Sequence, residues 1–433
     1  MRSIRSFPFT AAVRLGVRSR LRERSWPLAV TVLSVLTGMA YCLVWGPDLI
    51  HSQTWRIPGD IWGTFRSAQF IGWGDMGNVY GDATGLVTLP GILVVFTPVA
   101  LVAGALGMTE SFPFTLPHPT AWLLLGPYEI LVSCSALFAC DALAQRLGVS
   151  RGRRKLLCVA QGLVLWNVSV IWGHPEDALA LALAVYGLVL AFDGRWSGAG
   201  WLFGAAVATQ PVVVLALPVV LALAGRSRAL PFLVRATLPS VLLLAAPFVA
   251  EFHVTSHTLL DQPNFPNLDH RTPWTALAPK LGGRGQFLKV AAGPGRVVAV
   301  ALACVLGWWA RRWRDRPEAV VSAVALALAL RCFTESVMVA FYLWPVVAVG
   351  LVVVMGRSRW RWICGVAAAL IVTVCSDFHF GAWVWWGIVT GGIVLLLVFG
   401  IPSRPRRSVP MTTSVTDVAP GRDHPPVLVG ARP

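Results

Sequence analysis

Between residues 27 and 400 the chain alternates long apolar stretches with short polar ones. The apolar stretches run for about 17–25 residues, where roughly 20 suffice to cross a hydrocarbon core of about 30 Å. The first, 27–45, follows a basic N-terminus; it is too long for the apolar core of a cleavable signal and no small-residue cleavage site follows, so it reads as a retained membrane anchor. Residues 60–70 pattern as a short helix lying on the membrane surface. Two apolar runs, 86–106 and 121–143, then precede the basic cluster at Arg151. One crossing keeps that cluster on the side of the N-terminus. Pro90 and Pro98 weaken the first run as a straight helix, so the expectation is that it re-enters without crossing, the alternative being that the second run fails to cross. Further spans are predicted at 156–173, 178–192, 236–252, 296–310, 319–330, 336–355, 362–375 and 383–399. The stretch 201–223 is broken at Gln210-Pro211 and predicts a hairpin that dips in and returns.

The fold class that follows is all-α, a polytopic transmembrane helical bundle of roughly 10–13 membrane segments at about 20 residues each. A basic cytoplasmic N-terminus (1–26) leads into one membrane domain (27–400), whose larger extracytoplasmic loops span about 46–85 and 253–295. The tail, 401–433, lacks periodicity and reads as disordered cytoplasm. The composition agrees. The chain is 56% hydrophobic and only 13% charged, with a mean hydropathy of +0.67, whereas soluble domains carry roughly 25% charged residues. The formal charge of +16 does not indicate a nucleic-acid partner, because the arginines cluster beside apolar runs: Arg14 to Arg24, Arg151 to Arg154, Arg311 to Arg316, Arg357 to Arg361 and Arg404 to Arg407. That placement is the signature of topology determinants facing anionic lipid headgroups, and it puts both termini in the cytoplasm of a multi-pass protein of the inner membrane. The eight cysteines lie mostly within apolar runs without CxxC spacing and read as small apolar fillers.

Threaded this way, most acids and histidines emerge on the external face, among them Asp48, Asp60, Asp75, Asp82, Glu176, Asp177, Asp261, Asp269 and Asp377, with His51, His174, His253, His257, His270 and His379. Three constellations there carry chemistry. In the first loop, Asp60 is placed to accept a proton from a sugar hydroxyl, with Arg66 available to a phosphate and Asp75 and Tyr80 nearby; the competing reading is an interfacial loop anchored by Trp62 and Trp73. The second, His174-Pro175-Glu176-Asp177, has the proline and acids of a helix start, yet two adjacent carboxylates and a histidine at a membrane face exceed what capping needs. The third is the segment 261–274, where His270, Arg271 and Trp274 suit a polyol or phosphate ligand. Arg331 and Glu335 flank a helix end one turn apart, either pairing or serving the site. Glu129 is an acid inside an apolar run. Trp383, Trp385 and Trp386 read as membrane-interface anchors. No His/Asp cluster has convincing metal-ligand spacing, so no metal is expected.

At these residues the sequence resembles the GT-C superfamily of membrane glycosyltransferases, in particular the polyprenyl-phosphate-sugar-dependent mannosyltransferase-like group common in actinobacteria. Three stretches carry the resemblance: Asp60 through Tyr80, with an acid, a helix and a Gly-x-x-Tyr; residues 173–223, ending in the polar-Pro break at Gln210; and Phe341-Tyr342-Leu343-Trp344-Pro345. The sequence departs from the group in having Gln210 where a lysine is frequent, and Gly173-His174-Pro175-Glu176 where Gly-Gln-x-Asn is frequent. The resemblance implies an inverting glycosyltransferase of the cell envelope, moving mannose or an arabinose-like sugar to a glycan or glycolipid acceptor on the outer face. The donor would be a polyprenyl-phosphate-linked sugar, with no cofactor. Asp60 would be the base with Glu176 or Asp177 beside it, and Gln210, Arg331 and Tyr342 would join the binding residues. The alternatives are a transporter or flippase of lipid-linked sugars, although the sequence shows no internal repeat, and a catalytically inactive membrane scaffold.

Overall fold

The computed structural model describes residues 24–44, 55–81, 84–86, 88–111, 116, 118–378 and 381–402. The expectations for the basic N-terminal segment up to residue 23, for Asp48, His51, Asp82 and His379, and for the tail beyond residue 402 lie outside the described residues. Among those described, the chain is almost entirely helical, with two short antiparallel strand pairs. Seven helical segments are long and apolar enough to cross a membrane: Ser25–Val44, Trp122–Arg146, Arg151–Trp172, Pro175–Phe192, Arg226–Ala250, Pro317–Thr334 and Ala382–Gly400. Large apolar side chains lie bare on their outward faces, including Leu36 (64% exposed), Val241 (60%) and Val249 (88%). A monomer in water does not tolerate such a belt; lipid does. The protein is a multi-pass helical membrane protein.

In chain order the helices are α1 (Ser25–Val44), α2 (Ile61–Trp73), α3 (Gly91–Ala105), α4 (Trp122–Arg146), α5 (Arg151–Trp166), α6 (Pro175–Phe192), α7 (Trp196–Thr209), α8 (Leu217–Leu221), α9 (Arg226–Ala250), α10 (Phe252–Asp261), α11 (Gly295–Ala310), α12 (Pro317–Thr334), α13 (Trp344–Met355), α14 (Arg359–Cys375) and α15 (Ala382–Gly400). Helix α13 is the centre. Every one of its residues is buried, as a helix apolar on all sides must be, and it packs on α4, α5, α6, α12, α14 and α15.

Two expectations about unusual segments can be followed in the fold. The run at 86–106 forms α3, which lies against α2: Thr97 donates to the Ala68 carbonyl, and Gly72 meets Leu101. Its start abuts Ala208 and Thr209, and its end connects through a Thr109–Thr120 pair to the start of α4. Both ends of α3 therefore belong to the same end of the bundle, and α4 makes the crossing. The break at Gln210-Pro211 ends α7, and a 3-10 turn at Pro211–Ala216 leads into α8, which returns to the end from which α7 set out. Helices α7 and α9 pack closely because Gly204 has no side chain: a Cβ there would lie 2.3 Å from the Arg235 carbonyl oxygen.

The end of the bundle that carries the arginine clusters is tied by its own charges. Arg154 forms a two-pronged pair with Asp141, both bonds 2.7 Å, and Arg24 binds the same carboxylate. Arg153 donates to the Met355 and Arg357 carbonyls at 3.0 and 2.6 Å, and Arg357 pairs with Glu318. These cations stitch helices together, a role beyond the topological one read from their positions. Asp141 is 2% exposed, and a buried pair broken from one side leaves an uncompensated charge. Asp141→Asn should cost about 3 kcal/mol, seen as a lower melting temperature in detergent. An unchanged melting temperature would show that the pair contributes nothing net.

Candidate active site

At the opposite end, helix α5 does not stop regularly. It widens into a π turn at Asn167–Trp172, a distortion frequent at functional sites, and is closed by Gly173 at φ +70°. A side chain at Gly173 would be strained and its Cβ would stand 2.6 Å from Pro58. The bare backbone thus lets the first loop press against the start of α6. Pro175 opens that helix with Glu176 and Asp177 in its first turn.

The result is a clamp. His174 Nε2 lies 2.9 Å from Asp60 Oδ2 and its Nδ1 lies 2.6 Å from Glu176 Oε1. The imidazole stacks on Phe341 with ring centroids 3.5 Å apart. Burial alone would lower the imidazole pKa, but the Glu176 charge and the hydrogen bonds to both carboxylates outweigh it and hold the pKa well above the ordinary value. In its protonated form His174 donates from both ring nitrogens.

The two carboxylates beside it differ in exposure. Glu176 is buried, whereas the Asp60 side chain is 56% exposed and borders a pocket of about 210 Å³ lined also by Arg56, Pro58, Gly59 and Trp172. Arg56 is exposed and lies over the Tyr41 ring at 5.2 Å. Deeper in, Asp177 is 1% exposed and neither carboxylate oxygen makes a well-formed hydrogen bond; Gln210 and Arg331 are its polar neighbours. Arg331 stacks over Tyr342 at 3.5 Å and pairs at 3.1 Å with Glu335, which also accepts from Arg296 at 3.1 and 3.2 Å. Arg296 in turn binds Gln262, the one non-glycine residue with positive φ among those described. Glu129 lies fully buried within electrostatic reach of Glu176 and His174, accepting from Ser133 at 3.2 Å.

Of the residues expected to form the site, Asp60, His174, Glu176, Asp177, Gln210, Arg331 and Tyr342 are brought together. Others have partners elsewhere. Arg66 pairs with Glu110 at 2.8 Å and packs on Phe70 and Trp73. Asp75 accepts from Asn78, and Tyr80, its phenol pKa raised by burial, donates to the Thr88 carbonyl. His270 reaches the Ser376 carbonyl and stacks on Trp385, Arg271 binds Asn267, and the Trp274 indole donates to Phe333. Trp385 is fully buried, so it supports the second loop rather than anchoring the chain at an interface. Arg56, Arg296 and Gln262 were not singled out, and Phe341 entered only as part of the Phe341–Pro345 stretch; an arginine at the start of an apolar run reads as a topology signal, and nothing in the pattern ties Arg296 to Glu335. His174, Glu176 and Asp177 each place a potential ligand atom within 4.8 Å of one another, a donor set open to a metal only when the His174 ring gives up a proton.

Residues 121–226 match the family model described as alpha-(1->6)-mannopyranosyltransferase, N-terminal domain. Over those residues the chain is similar to that domain. That match agrees with the resemblance drawn from the motifs and supports a glycosyltransferase role. It covers His174, Glu176, Asp177 and Gln210, while Asp60, Arg331 and Tyr342 reach the same cluster from outside it. No curated protein matches the chain.

The clamp makes a stability prediction with a definite sign. A histidine whose pKa is raised on folding contributes fully below its ordinary value of 6.5 and loses the contribution as pH rises through the folded-state value. The melting-temperature gap between wild type and His174→Gln should stay open through about pH 7 and close on the alkaline side. A gap independent of pH would mean that His174 is neutral.

Proposed function

We propose that the protein is an inverting mannosyltransferase that takes its sugar from a polyprenyl-phosphate donor and passes it to a cell-envelope glycan or glycolipid. The observation that carries this reading is the asymmetry of the clamp: one carboxylate is buried, and the other, Asp60, is held by His174 while facing a pocket beside an arginine. Asp60 is the general base. The acceptor hydroxyl gives its proton to Asp60 as its oxygen bonds to the anomeric carbon from the face opposite the phosphate. The bond from that carbon to the phosphate oxygen breaks, and polyprenyl phosphate leaves with the electron pair. Arg56, which lines the same pocket, meets the donor phosphate; Arg66, committed to Glu110, does not. Glu176 acts through His174 as a positioning residue. With the termini on the cytoplasmic side of the inner membrane, the site faces outward.

The test is transfer from radiolabelled polyprenyl-phosphate mannose and, in parallel, the arabinose donor. Asp60→Asn should lower turnover by about 10²–10⁴, the usual contribution of a general base, while the protein remains folded. Glu176→Gln should lower it less and shift its pH profile. Full transfer by folded Asp60→Asn contradicts the assignment of the base. Transfer from the arabinose donor alone contradicts mannose as the sugar, and flux of lipid-linked sugar without covalent product supports transport in place of catalysis.

A further inference from the structure

A second cavity lies at the end of the bundle away from His174. Between residues of α9 and α11 lies a cleft of about 700 Å³, lined also by α8 and the turn that follows it. Its walls have two characters. Part of the lining is apolar, with Pro218, Leu221, Leu233, Cys304 and Trp308; Trp308 is 62% exposed and Cys304 is also exposed. At its mouth stand three guanidiniums from two separate helix ends: Arg226 at the first position of α9, and Arg311 and Arg314 just past α11. Arg314 reaches the Ala224 carbonyl at 3.5 Å across the floor. Among the described residues, no carboxylate lines the cleft.

Other arginines at this end are bound up within the protein, as Arg154 and Arg24 are with Asp141 and Arg357 is with Glu318. Arg226, Arg311 and Arg314 instead line one cleft together with apolar side chains, and none of them pairs with a carboxylate among the described residues. The positive end of the long helix α9 adds its field to the same spot. A phosphate at the level of the headgroups, carrying acyl chains that run along the apolar wall, complements both characters, and basic pockets between transmembrane helices bind anionic lipid headgroups in this manner. We propose that this cleft is a binding site for an anionic phospholipid. Its phosphate sits among Arg226, Arg311 and Arg314, and an acyl chain lies against Leu221, Leu233 and Trp308. The proposal rests on the multi-pass reading and is independent of the catalytic one.

The test is native mass spectrometry of the full chain released from detergent, titrated with cardiolipin, phosphatidylglycerol, phosphatidylcholine or inorganic phosphate. Retention of cardiolipin or phosphatidylglycerol over phosphatidylcholine is expected, weakened about tenfold or more in the Arg226→Gln, Arg311→Gln, Arg314→Gln variant. Arg359→Gln, at the same end but outside the cleft, should leave it unchanged. Cys304→Trp, which keeps every charge and fills the apolar wall, should also weaken retention and guards against misfolding of the triple variant. Equal binding in the cleft variants and wild type would overturn the proposal. So would equal weakening by Arg359→Gln, which would make the effect one of surface charge alone. Inorganic phosphate displacing the lipid at matched concentration would assign the site to a free anion.

Discussion

The site depends on a single imidazole held between two carboxylates. His174 joins the first loop to the start of α6 and stacks on the turn leading into α13. Three segments far apart in sequence thereby acquire one geometry. A histidine with one acid partner would be ambiguous in charge; with two, the cation is favoured. The surrounding fold accommodates this arrangement through features that would otherwise be costly: the π turn that ends α5, the left-handed Gly173 and the acids in the first turn of α6. None of these is needed to build a helix, and together they aim side chains.

Charge is sorted to the two ends of the bundle and is used differently at each. Around Asp141 and Glu318, arginines close carboxylates and backbone carbonyls into fixed ties. Around His174, compensation is incomplete by design of the geometry: Asp60 stays exposed, Asp177 has no well-formed hydrogen bond, and Arg331 and Arg296 share Glu335. Polar groups buried without full pairing are expensive, and they accumulate where a ligand would complete them.

Much of the fold was legible in the sequence because bilayer thickness imposes a length on every apolar run, so helices such as α1, α6, α14 and α15 follow from a count of residues. The short hairpin at Gln210-Pro211 was legible from a proline where no span should break. The behaviour of 86–106 was half legible: Pro90 and Pro98 weakened it, but only packing against α2 decides which side its far end takes. In the candidate site, His174, Glu176 and Asp177 announced themselves as polar residues at a helix start. The second loop misled, because His270, Arg271 and Trp274 look like ligand contacts and instead pin that loop to Ser376, Asn267 and Phe333. Arg296 was invisible, and Phe341 was legible only within its motif and not as the ring that His174 stacks on, since local pattern carries no record of tertiary pairing.

The charge on His174 tests this account most directly, and nitrogen NMR of the imidazole measures it. In protein labelled with ¹⁵N histidine and reconstituted in nanodiscs, signals lost in His174→Gln identify the two ring nitrogens. At about pH 7, above the ordinary histidine value, the account predicts that both carry a proton and give the paired signals of an imidazolium. One protonated and one bare nitrogen would show a neutral ring. The clamp would then bind its carboxylates without a cation, and the assignment of Asp60 as a base held by a charged partner would fail.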